Sequence, residues 1–236
     1  MTPVLPALPI LAQRRQPDVW YWDVVGDILP DLLRGLWLTV QITVLGLVVA
    51  MVLGLVLAIL RRSRLRVVSW PVGLFIEFVR STPLLVQFFF LWLGLPEFGI
   101  TLSAFQVGVI GLGIHYATYT SEAYRAGIDA VPRGQWEGST AINLATPTTW
   151  REVILPQAIP TVIPALGNFL VAAMKDVPMV AAIGLIDVLG AAQRAVSQDF
   201  RALEPYTMAG VLFLAVSIPA AMFARYLEKR YGFQRD

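Results

Sequence analysis

His115, Thr118, Glu122 and Arg125 recur at i, i+3, i+7 and i+10 within the apolar run 105–128, so a helix there carries them on one face. Lys175-Asp176 abuts Val177-Pro178 in a second apolar run, with Asn168 and Thr161 in line with Lys175 at heptad spacing, and Glu77 and Arg80 stand one turn apart in a third. A charge at the centre of a bilayer costs roughly 3 kcal/mol even on lenient insertion scales, so such groups face protein or a wet path. The chemistry open to His115, Thr118, Glu122, Asn168, Lys175 and Asp176 is the binding and passage of a polar solute, or bonding across a subunit interface. Glu77 and Arg80 suit a structural ion pair, and Arg125 an anchor at a helix end. Bond-breaking chemistry is poorly supplied. The chain has no cysteine and one histidine, which excludes thiolate and multi-histidine metal sites. An intramembrane hydrolase built on His115 and Glu122 would lack an H-E-x-x-H or a Ser-Lys or Ser-His partner.

A second group is polar without being membrane-bound. Between two long apolar runs, residues 130–156 form an island containing Glu137, Gly138, Ser139, Ala141 and Asn143, mostly small side chains that permit close approach of another surface. A loop of that size is uncommon filler and more readily docks something. Pro132 can open a helix there, and Asn143 tolerates the left-handed conformation that ends one. Thr146-Pro147 then reads as an N-cap with proline at the first helical position, so two short helices at an angle are expected.

The elements that must hold these groups follow from composition. With 57% hydrophobic and 14% charged residues, the chain cannot bury its apolar side chains in one water-soluble core, and it reads as an all-α integral membrane protein. Its net charge of +2 gives no footing for nucleic acid. Five transmembrane helices are expected, at about 35–60, 67–95, 105–128, 159–190 with an interruption near 177–178, and 205–226. Val4 to Ala12 carries prolines and no basic region precedes it, so it reads as a retained tail, not a cleaved signal. Residues 1–34 are then an outer tail whose Trp20 to Arg34 part suits an interfacial helix. Residues 192–204 form an outer connection, and 227–236 a cytoplasmic tail. Arg61-Arg62-Ser63-Arg64-Leu65-Arg66 holds the first loop in the cytoplasm, which puts the N-terminus outside, the island inside and the C-terminus inside. Gly46, Ala50 and Gly54 form a small-residue ridge for packing on the first span.

The island string GQWEGSTAINLATPTTWREVILPQA resembles the glutamate-Ala-Ala loop of bacterial ABC-importer permeases, whose pattern runs GQ-x-EAA-x-A-x-G, a spacer, then I-LP. The strings EFVRSTPLLVQFFFLWLGLP and KDVPM are similar to the polar amino-acid branch of those permeases, the branch for histidine, glutamate, glutamine, arginine and opines. The likeness runs from Leu33 to Tyr226. Gly138-Ser139 replaces the usual Ala-Ala and Asn143 the usual glycine, and each replacement stays small or tolerant of left-handed geometry. The resemblance implies a type I ABC-importer permease fold over 35–226, in a bacterial cytoplasmic (inner) membrane. It makes 130–156 the coupling loop, with Glu137, Gly138, Ser139, Ala141, Asn143, Ile154, Leu155 and Pro156 as its contact residues. It also implies two ATPase subunits, a second permease chain, identical or paralogous, and an extracytoplasmic solute-binding protein. No glycine-rich phosphate loop followed by Lys-Ser/Thr is present, so ATP and magnesium belong to the ATPase, and no cofactor, metal or catalytic residue is expected in this chain. The solute expected is a polar amino acid or related zwitterion. Ectoine, hydroxyectoine or an opine is the alternative, and a channel or structural membrane subunit is the rival of another class.

Overall fold

The structure, a computed structural model, describes residues 19–231. The expectations for residues 1–18, and for the end of the cytoplasmic tail, lie outside the described residues. Among those described there are helices and connecting turns and no strand.

Helix α1 (Trp22–Arg61) runs unbroken for 40 residues, roughly 60 Å at the α-helical rise. The expected interfacial helix and first span are therefore one rod, and Pro30 sits inside it without breaking it. The segment expected as a single span at 67–95 is two pieces. α2 (Arg66–Arg80) and α3 (Leu84–Phe89), the latter prolonged by a π-helical turn and a 3-10 turn to Phe98, meet at an angle of 106°. Pro83 is the cause: it has no N–H to donate and pushes Thr82 out of helical geometry. Its own ψ of 137° is extended.

α4 (Ala104–Asp129) covers the residues expected as the third span, 105–128, and opens with a capping box between Ser103 and Gln106. It is the centre of the fold and lies along α1. Glycines allow that approach. A Cβ on Gly113 would sit 2.5 Å from Val49 Cγ1, and one on Gly54 2.8 Å from Thr120 Cβ. Thus the ridge of Gly46, Ala50 and Gly54 packs as expected, with Gly46 against Leu112.

Beyond α5 (Arg133–Ala141), α6 (Thr146–Thr148) continues through a π-helical turn, Thr149–Ile154, into α7 (Leu155–Asp176) and a 3-10 segment, Val177–Ile183. Where an interruption is expected, near 177–178, the α-helix passes into the 3-10 segment, which left-handed Gly184 closes at φ 84°. The polar stretch expected as an outer connection, 192–204, is entered by a helix, α8 (Val188–Asp199). Asp187 caps it through Gly190 N–H at 2.8 Å, Val188, Ala191 and Ala192 are buried beside Leu32, and left-handed Phe200 stops it. The last helix is α9 (Leu203–Tyr231).

Among the described residues three helical stretches are long and apolar enough to cross a membrane: α1, Thr146–Ile183 and α9. The bent α2–α3 pair would make a fourth. α4 has the length, at 26 residues, but its polar stripe lowers its hydropathy, and α1, α3 and α7 enclose it.

Candidate functional site

The island is built from the backbone outward. Pro132, extended at ψ 139°, leads into α5. At the other end Asn143 takes φ 55°, while its N–H donates to Thr140 O at 3.0 Å and Leu144 N–H to Ser139 O at 3.0 Å. Those two bonds around a left-handed residue are a Schellman stop, so Asn143 ends α5 as the sequence requires. The next start is displaced by one residue. Ala145, not Thr146, is the cap of α6, and the Thr146 hydroxyl makes no capping bond. Nor is the second piece a separate short helix, since it is the foot of the α6–α7 rod.

What fastens α5 to that rod is a small apolar core. Trp136 meets Trp150 edge-on at 5.2 Å, over buried Val131, Ile154 and Ala158. Glu137, Gly138, Ala141 and Asn143 are exposed. Ser139 is not: it is buried and its hydroxyl donates to Gln135 O at 2.7 Å. Ile154 is likewise sealed inside, while Leu155 and Pro156 are exposed. So of the expected contact residues, Ser139 and Ile154 hold the platform together and do not face outward. The residue missed is Ile142, 71% exposed at the end of α5. Its signal was an isolated large apolar side chain on a polar segment.

Inside the helices the polar groups sort differently from the expected stripe. His115 Nδ1 lies 3.2 Å from Gln87 Oε1. The Tyr116 hydroxyl donates to Asp176 Oδ2 at 2.6 Å. The Tyr116, Tyr119 and Phe169 rings surround them, and the Arg80 guanidinium lies over Tyr119 at 5.2 Å. Of the site residues expected from the sequence, the structure gathers His115, Asp176 and Arg80 here, and adds Gln87, Tyr116 and Tyr119. Thr118 is fully buried, and its hydroxyl donates to the carbonyl of His115 at 2.7 Å. Glu122 is held by Arg125 at 2.8 Å, so Arg125 is an ion-pair partner as well as an end residue. Glu77 reaches Arg80 at 3.9 Å with 71% of its side chain exposed, a loose pair. Arg80 and Gln87 stand on opposite sides of the 106° bend, so no single helix face carries both.

Lys175 and Asp176 part company. Asp176 turns into the cluster, whereas Lys175 is exposed in a groove between α7 and α9, with Asn168 on the α7 wall and Arg225 on the α9 wall. The arrangement can hydrogen-bond, hold charge and offer aromatic faces. It contains no nucleophile paired with a base, and among the described residues no group of three His, Asp or Glu could hold a metal.

Residues 50–233 match the family described as "Binding-protein-dependent transport system inner membrane component". The chain is 48% identical over 201 residues to the probable amino-acid ABC transporter permease protein y4tG of Sinorhizobium fredii, covering 85% of this chain and 87% of the relative. It is 31% identical over 211 residues to the L-cystine transport system permease protein TcyB of Bacillus subtilis, covering 89% and 90%. Among solved structures, an amino acid ABC transporter with histidines superposes with a TM-score of 0.84 at 32% identity, over 90% of this chain and 99% of that one. The MetNI methionine transporter gives a TM-score of 0.72 at 18% identity, over 88% and 99%, a likeness of fold. The chain belongs to the family of inner membrane components of binding-protein-dependent transport systems.

Proposed function

We propose that this family member is the permease subunit of an ATP-driven importer that forms, with a second permease chain, the membrane pathway for a polar amino acid or related zwitterionic solute. One observation carries the reading. The exposed face of α5 is fastened by Trp136 and Trp150 to the rod that becomes α7, and it follows directly on α4. Those two helices carry His115, Tyr116 and Asp176 at their other parts. A push on the platform therefore reaches the polar cluster through two rigid elements.

On this account Glu137, Gly138, Ala141 and Ile142 meet one of two ATPase subunits, which bind ATP and magnesium. His115 and Asp176, with Tyr116, Tyr119 and Arg80, line the solute path. Asn168 and Lys175 face the second permease chain, because a cation at that depth requires a protein or aqueous neighbour. The spans are α1, the α2–α3 pair, α4, the α6–α7 rod and α9, within a domain of residues 35–226. The N-terminal tail is outside with α8, where a solute-binding protein delivers its cargo, and the platform and C-terminal tail lie in the cytoplasm of a bacterium. A carboxylate and a guanidinium in one cluster suit a solute with both signs.

Extraction from membranes in mild detergent should bring an ATPase of another chain with this one; a channel or structural subunit would come without it. Because the chain has no cysteine, single cysteines placed at Gln198 and Gln135 report orientation directly. An impermeant maleimide should label the first from outside and the second only after permeabilisation. The reverse pattern overturns the topology. Competition of uptake by cationic, anionic and zwitterionic solutes, ectoine included, then fixes the cargo class.

A further inference from the structure

The Gln87 side chain sits at the vertex of the α2–α3 bend. Its amide nitrogen lies 2.8 Å from Val79 O, 3.1 Å from Thr82 O and 2.9 Å from Thr82 Oγ1. Two of those three acceptors are main-chain carbonyls, which cannot donate, so nitrogen and not oxygen must occupy that side of the amide. The amide oxygen is thereby turned toward His115 Nδ1 at 3.2 Å. An amide oxygen only accepts, so Nδ1 must carry the hydrogen, and in a neutral imidazole the other nitrogen is then bare.

His115 is part-buried, and its Nε2 makes no hydrogen bond with the described residues. It stands among the Tyr116 and Tyr119 rings, whose neighbour Asp176 supplies a carboxylate. We infer that Gln87 is a positioning residue for the solute path: its amide fixes His115 with Nδ1 protonated, so that Nε2 presents a lone pair to a hydrogen-bond-donating group of the solute, such as an ammonium. A lone pair, a carboxylate and aromatic faces together attract a cationic donor, while the Arg80 guanidinium over Tyr119 leaves the solute's own carboxylate a partner on the far side of that ring. The inference rests on the reading of this cluster as the solute path, yet its first step can be tested without transport.

The chain has one histidine, so its imidazole nitrogens are unambiguous in 15N spectra of the full-length permease, purified with a histidine-free tag and reconstituted in lipid. The Nδ1–H form should dominate in the unaltered chain, and Gln87→Met, which keeps length and removes the amide, should shift the ring toward the Nε2–H form. A ring already in the Nε2–H form, or one that Gln87→Met leaves unchanged, overturns the inference. The second arm is uptake by the complete transporter. His115→Gln keeps an acceptor near the Nε2 position and His115→Asn does not. The KM of His115→Asn should rise by about tenfold or more, the worth of a hydrogen bond to a charged group. That of His115→Gln should rise less, and Gln87→Met should raise KM with little change in the rate at saturation. If the tautomer responds to Gln87 but neither histidine variant changes KM, Nε2 does not meet the solute; the solute-path reading of this cluster falls, and only the hold of Gln87 on the ring survives.

Discussion

On α5 and its C-cap the residues that face outward, Glu137, Gly138, Ala141 and Ile142, take little from their own chain, whereas around His115 the polar side chains are tied from helix to helix. His115 joins α4 to α3, Gln87 joins α3 to the end of α2, and Tyr116 joins α4 to α7. A Cβ added to Gly138 would meet nothing within 4 Å, so internal packing does not require glycine there. The space is open for a partner. In the cluster the reverse holds: a Cβ on Gly111 would sit 2.7 Å from Phe88, on α3 one residue beyond Gln87. The difference separates two kinds of mutant. Platform variants should disturb docking and leave the chain itself intact, while cluster variants should alter the chain's internal bonding and, through it, solute handling.

The sharpest way to break that comparison is Glu137→Lys. Reversing the charge of an exposed side chain changes no internal contact, so insertion and assembly of the permease chains should stay near normal. ATPase docking should weaken by about 30-fold or more, as for a charge removed from an interface, and uptake should vanish. Normal uptake by this variant would end the coupling role of the platform. Trp136→Ala ranks next. It deletes one half of the edge-on pair that fastens α5 to the rod, a loss of about 2 kcal/mol or more. It should loosen ATPase co-purification although Trp136 is only half-exposed, and protease cleavage at 142–146 should become faster. Unchanged cleavage would mean that the stack does not hold the platform.

The platform was largely legible in the sequence because backbone chemistry wrote it: Pro132 to open, Asn143 to stop, small residues to leave room. What failed there was direction. Nothing in the periodicity of so short a helix says that Ser139 points inward and Ile142 outward, since the answer depends on where Trp136 and Trp150 meet. The cluster was legible only in part. The stripe of His115, Thr118 and Glu122 marked a helix face whose side chains are buried or half-buried in the chain, but facing protein is not the same as sharing a site, and Thr118 and Glu122 bond within α4 itself. Gln87 and Tyr116 enter through the bend at Pro83 and the fit of α7 against α4, which are tertiary facts. The same bend separates Arg80 from Gln87, for helical angles cannot be carried across a proline that stops the helix. α8 was hidden by polarity: its buried side is short and its exposed side reads as loop.

Asn143 offers a smaller and more selective test on the platform side. Its φ of 55° is open to glycine without penalty and to asparagine at a modest one, and it is strongly disfavoured for a β-branched residue. Asn143→Gly should be silent or mildly favourable. Asn143→Val should lose about 1–2 kcal/mol of local order, seen as weaker ATPase co-purification with the spans intact. Equal docking by the two variants would show that the Schellman stop does not set the direction of α5.

The smallest expected effect is the one that best sharpens the contrast, Tyr116→Phe. It removes a single hydroxyl whose bond to Asp176 spans α4 and α7 at 2.6 Å, and it keeps the ring among His115, Tyr119 and Phe169. Side-chain hydrogen bonds between membrane helices contribute about 0.6 kcal/mol on average and rarely exceed about 1.7, so stability should fall by no more than that. Asp176 would lose its α4 donor and its carboxylate would be freer to meet solute. The KM for a cationic or zwitterionic solute should therefore move by about threefold, while the KM for an anionic competitor should stay fixed or rise. ATPase co-purification should match the unaltered chain, since no contact near α5 changes. A Tyr116→Phe variant that loses its ATPase as readily as Trp136→Ala would mean that platform and cluster respond as one body, with the α4–α7 bond as the link between them.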